Sequence, residues 1–144
     1  MRWVTWENVG VDRIGCSWLI RRFVDRDAEL LFVRADSPTL PRDAEPFDIP
    51  GVRLSHHRGH SSFHAIVQAY GLDDPVLARI ARIVDEADTA QEVAVEPAAP
   101  GLDVICDGLR RISPDDQTAV ERGALIYDAL YAQLSAEPRR LGGT

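Results

Sequence analysis

The stretch that most constrains the fold is DPVLARIARIVDEAD, residues 74–88 of a 144-residue chain. Asp74 offers an N-cap carboxylate, and Pro75 takes the first helical position, where its missing N–H costs nothing. Leu77, Ile80 and Val84 then recur at helical period. The segment is therefore an amphipathic helix that must lay one stripe on an apolar core. Asp88 continues that stripe where Leu or Val is expected. A carboxylate there must be paired, protonated or bound to a cation, unless the helix frays after Ala87 and Asp88 turns outward. Asp85 falls off the stripe, within reach of Arg82 three residues earlier.

The remaining elements follow from similar signals. Residues 3–5 and 29–34 are β-prone runs. Between them Asp12 is an N-cap candidate for RIGCSWLIRRFV, which carries Ile14, Trp18, Leu19 and Phe23 at helical spacing. SPTLPRDAEP is a loop, and FDIPGVRLSH is two short extended pieces broken at Pro50 and Gly51. A helix starts at Ser61 or Ser62, with Phe63, Ile66, Val67 and Tyr70 on one face and Gly71 as its stop. AQEVAVEPAAPG is a linker-like loop before two further helices, LDVICDGLRRI and DDQTAVERGALIYDALYAQL. A flexible tail is expected over residues 136–144. The expected class is α+β: one mainly helical domain over residues 1–144, about five helices with a small sheet near the N-terminal half.

Composition excludes several functions. No apolar run approaches the roughly 20 residues that cross a bilayer, and the N-terminus lacks a signal-peptide pattern, so a cytoplasmic location without membrane contact is expected. Cys16 and Cys106 are too few and too distant for a disulfide framework, and Cys16 is expected to be an inert core thiol. A net charge of −7 and the lack of a helix-turn-helix pattern argue against specific binding of DNA by this chain alone. All 16 basic residues are arginine, which genomic base composition explains as readily as oxyanion recognition does.

All four histidines, His56, His57, His60 and His64, lie in RLSHHRGHSSFHAI. Neutral imidazole is a common ligand of transition metals. His56 ends an extended piece, His64 opens a helix, and Asp88 supplies a third donor. These residues, His56, His64 and Asp88, are the candidate ligands of a divalent transition ion such as zinc, manganese, iron or nickel. His57 points to the opposite face from His56 in an extended segment, and the place of His60 depends on where the helix starts. The competing reading is a polar surface loop. Arg13, Ser17 and Arg21 form a polar line on the first helix, with Arg13 and Arg21 as candidate anion binders. Pairing of Arg21 or Arg22 with Asp25 is the plainer alternative.

The motifs VDRIGCSWLIRRFVD, PFDIPGVRLSHHRGHSSFHAI, IVDEADT and GALIYDALYAQL together resemble the chromate-resistance protein family of the ChrB type, in its C-terminal domain. The resemblance runs from Trp3 to Leu134. Asp12, Arg13, Trp18, Leu19, Ile20, Arg22 and Phe23 match the family's Asp-Arg-x-x-x-x-Trp-Leu-Ile-x-Arg-Phe helix. The family's histidine falls on His56, and its Cys-Thr-Phe-Glu segment on Ser61, Ser62, Phe63 and His64. A thiol is thus replaced by Ser61, and a carboxylate by the His64 imidazole. Longer members carry an N-terminal extension thought to serve regulation, which this chain is not expected to supply. The resemblance implies a stand-alone domain of metal or oxyanion stress response, binding a metal ion, a small oxyanion or both. A small metalloenzyme of redox or detoxification chemistry and a regulatory or interaction module without a site are the alternatives, and a homo-oligomer is compatible with either.

Overall fold

The computed structural model describes residues 1–37, 39–89, 91 and 93–137. Strand β1 (Arg2–Trp6) pairs in parallel with β2 (Glu29–Val33) on one side and with β3 (Ala44–Pro46) on the other. Trp3 lies opposite Leu30, and Val4 opposite both Leu31 and Pro46. Helix α1 (Val11–Leu19) and a π-helical turn over Ile20–Val24 connect β1 to β2. That wide turn closes through the Asp25 N–H on the Ile20 carbonyl at 2.7 Å. Helices α2 (Ser62–Ala69), α3 (Pro75–Asp88), α4 (Ala98–Ile112) and α5 (Asp116–Ala136) complete an α+β domain of five helices and a small parallel sheet. No helix of the described residues is long and apolar enough to cross a membrane.

Helix α3 is capped as its sequence predicts: Asp74 accepts the Val76 N–H at 2.8 Å, with Pro75 in the first turn. Three expectations are corrected. Residues 44–46 form the edge strand β3 and are not loop, because an edge position tolerates Pro46, which lacks an N–H. Helix α4 starts at Ala98, inside the expected linker. Asp12 is not an N-cap: Gly10 occupies that position, and the Asp12 carboxylate serves another helix. Of the expected tail, Ala136 ends α5, Glu137 caps it, and residues 138–144 lie outside the described residues.

An aromatic core fixes α1 against α2 and α5. Trp18 stacks on Phe63 and Tyr127, with ring centroids at 6.3 and 5.5 Å, and its indole N–H donates to Asp128 at 2.8 Å. The Tyr127 hydroxyl crosses to the first turn of α1 and donates to the Val11 carbonyl at 2.7 Å. Gly15 makes this approach possible, since a Cβ there would lie 2.6 Å from the Tyr127 oxygen. The start of α1, which carries Asp12 and Arg13, is thereby held from behind.

Candidate metal centre

An open cleft of about 550 Å³ lies beyond the carboxyl ends of the neighbouring strands β1 and β3. In open parallel sheets, ligands bind beyond the strands' carboxyl ends, where the connections diverge. Residues following β1 (Asn8, Gly10, Val11, Asp12 and Arg13) and those following β3 (Asp48, Pro50, Gly51, Ser55 and His56) line it. Helix α3 adds Asp88, and α4 adds Asp103, Asp107 and Arg110. Five carboxylates thus face two guanidinium groups and one imidazole, so the cleft favours a cation.

His56 stands among three of those carboxylates. Its Nε2 is 2.6 Å from Asp88 Oδ2 and 3.4 Å from Asp12 Oδ2, and its Nδ1 is 3.4 Å from Asp48 Oδ1. One donor atom each from Asp12, Asp48 and His56 lie within 4.8 Å of one another, a spacing a single ion can span. The buried members are held by specific bonds. Asp12 accepts the N–H groups of Ser62 and Phe63 at 2.8 and 2.9 Å, so α1 caps the first turn of α2. Asp48 accepts the Ser62 hydroxyl at 2.6 Å and pairs with Arg13 Nε at 3.1 Å.

Burial, and then the charges of Asp48 and Asp88, push Asp12 up to about 7 against the pull of the two amides. Burial likewise raises Asp48, although Arg13 opposes it. Burial pulls the His56 imidazole down, but the hydrogen bond to Asp88 and the surrounding carboxylates outweigh it and hold His56 above its ordinary value. Both raised groups bind protons more tightly when folded. Asp12 therefore loses stability as pH rises toward and through about 7, and His56 loses its contribution as pH rises through its folded value. Burial lowers His64, so its contribution grows as pH rises up to and somewhat past its ordinary value and offsets part of this loss. Metal-free protein is expected to be more stable at about pH 6.5 than at about pH 8, by up to about 1 kcal/mol, mainly through Asp12. Thermal melts of chelator-treated protein check this, and equal or higher stability at pH 8 would contradict it.

The sequence candidates divide between two places. His56 and Asp88 meet directly, although Asp88 is exposed at the end of α3 and the buried carboxylate of that helix is Asp85. His64 instead stacks on His60, ring centroids 4.0 Å apart, with its Nδ1 3.6 Å from Asp85. Arg13 lines the cleft, but its Nε and Nη2 donate to the Asp48 carbonyl at 3.3 and 3.0 Å, and its guanidinium lies over Trp6. Arg21 does not line the cleft, and its Nε donates to the Ala28 carbonyl. The exposed His57 lies near the Arg53 carbonyl.

Asp85 corrects the sequence expectation most sharply. It is buried, and Arg82 pairs instead with Glu96. The inner face of α3 is wider than a single stripe and includes Ala81 and Asp85 beside Ile80 and Val84. Asp12, Asp48 and Ser62 were also missed as site residues. Their signal was weak: polar residues inside apolar stretches, as in PFDIP and SSF.

Fold and cleft together define a small α+β domain with a histidine–carboxylate cluster beyond the carboxyl ends of a parallel sheet. Comparison with known proteins supplies its family. The sequence model described as "ChrB, C-terminal domain" matches residues 3–134, and the chain belongs to that family. It is 32% identical over 140 residues to Protein ChrB of Cupriavidus metallidurans, covering 96% of this chain and 42% of that protein. The chain therefore spans less than half the length of that relative. No solved structure matches it.

Proposed function

We propose that the chain is a domain of chromate stress response whose acidic cleft binds a divalent transition metal through Asp12, Asp48, His56 and Asp88. The observation carrying this reading is the His56 imidazole, within 3.4 Å of three carboxylates from three separate segments. Mixed nitrogen and oxygen donors suit zinc, manganese, iron or nickel. A divalent ion would also offset the burial and the carboxylate repulsion that hold Asp12 above its ordinary value. An oxyanion such as chromate would enter second, once the metal has offset the carboxylates, because Arg13 is already engaged with Asp48. Family membership supports the chromate context.

The test is a thermal-shift series on chelator-treated protein. Zinc, nickel, manganese or iron at about 100 times its dissociation constant should add roughly 2.7 kcal/mol. Chromate should shift the melt only when metal is present. No shift with any of these ions would remove the reading; a shift with chromate alone would favour a metal-free oxyanion site. The cleft's openness favours a second reading, a small metalloenzyme, since it leaves room for water and a small substrate on a bound ion.

A further inference from the structure

Outside the cleft, His60, His64 and Asp85 form a second cluster whose donor atoms lie within 4.8 Å of one another. We propose that these three residues hold a second, separate divalent ion of the zinc type. The reading goes beyond the cleft centre and stands without it.

Several observations converge on this cluster. Asp85 Oδ2 is 2.9 Å from His60 Nδ1 and 3.6 Å from His64 Nδ1. Nitrogen and oxygen ligands about 2.0–2.1 Å from a tetrahedral ion lie roughly 3.3 Å from each other, so only small movements separate this cluster from a coordinating one. The Nδ1 of His64 is buried yet has no hydrogen-bond partner among the described residues. Buried polar atoms are almost always satisfied, and an ion shared with His60 and Asp85 would satisfy this one. The carboxylate is also oriented in advance: its Oδ1 accepts the Ser61 N–H at 2.7 Å and the Ser61 hydroxyl at 2.8 Å, as an outer group orients a metal ligand.

The backbone presents His60 by a tight turn. His57 and His60 exchange both backbone hydrogen bonds across Arg58 and Gly59, whose φ values are +50° and +82°. Positive φ at both central residues marks the primed hairpin turn, and glycine at the second position adopts it without strain. His60 is half exposed, so an ion could reach the cluster from solvent. Two imidazoles and one carboxylate suit zinc better than magnesium or calcium, which favour all-oxygen sites.

The experiment is a zinc titration of the metal-free full chain, followed by native mass spectrometry and by 15N spectra of the imidazoles. The expected result is two ions per chain, with the Nδ1 resonances of His60 and His64 shifting together. His64→Ala should bind one ion and retain the His56 response; His56→Ala should bind one ion and retain the His60 and His64 response. Unmoved Nδ1 resonances of His60 and His64 at saturating zinc would overturn the proposal, as would two ions bound to folded His64→Ala. If His64→Ala does not fold, the wild-type imidazole spectra decide alone. A wild-type chain binding one ion with the His60 and His64 signals shifted would uphold this site and remove the cleft centre.

Discussion

His56→Ala is expected to lower the metal affinity of the cleft by upwards of about 100-fold, more than the 10–100-fold typical of losing an outer supporting group. The imidazole is the element through which Asp12, Asp48 and Asp88 meet, and without it the remaining cleft donors are mutually repelling carboxylates. Asp88→Ala should act in the same direction, and Asp88→Leu should not restore binding. His57→Ala is the internal control: its side chain lies against the Arg53 carbonyl, and its affinity should stay within about threefold of wild type, the scale of a surface change. Calorimetric titration of the four variants measures the contrast. Equal losses for His56→Ala and His57→Ala would mean that the cluster acts through loop structure instead of ligation.

Tyr127→Ala should destabilise the domain by about 4 kcal/mol, the range for deleting a buried aromatic side chain. The ring is fully buried between Trp18 and Phe63, and its hydroxyl satisfies the Val11 carbonyl. Tyr127→Phe keeps the packing and should cost about 1 kcal/mol. Gly15→Ala should also destabilise, because its Cβ would meet the ring at 2.6–3.1 Å. In the Tyr127→Ala background that same Cβ enters the cavity, so the combined cost should fall below the sum of the two. Denaturant melts of the four proteins test the coupling. Strict additivity would show that the two residues do not share this contact.

Elements with strong local signals were legible in the sequence. The capped, proline-started α3 and the stop of α2 near Gly71 follow directly from residue type. Strand β3 was not legible, because its three residues, Ala44–Pro46, have no β character of their own and are ordered by pairing with β1. The pairing of His56 with Asp88 was accessible in part, because Asp88 stands where the α3 stripe calls for an apolar residue and His56 lies in the one histidine cluster. Asp12 and Asp48 broke none that periodicity detects: each is a short acidic residue whose bonds to Ser62 and Phe63 span at least 14 positions. The division of the histidines between two clusters depends on the turn at Arg58 and Gly59, which sets the direction of His60, and on α2, which carries His64 to Asp85.

The capping of α2 from outside itself has a kinetic consequence. An eight-residue helix is too short to persist alone in water, and its first amides here are held by Asp12 of α1, with Ser61 before them held by Asp85 of α3. The N–H groups of Ser61, Ser62 and Phe63 can exchange with solvent only when these carboxylates let go. Their deuterium uptake is therefore a clock for the opening of both clusters. An ion bound at either one should slow exchange at the amides its own carboxylate holds.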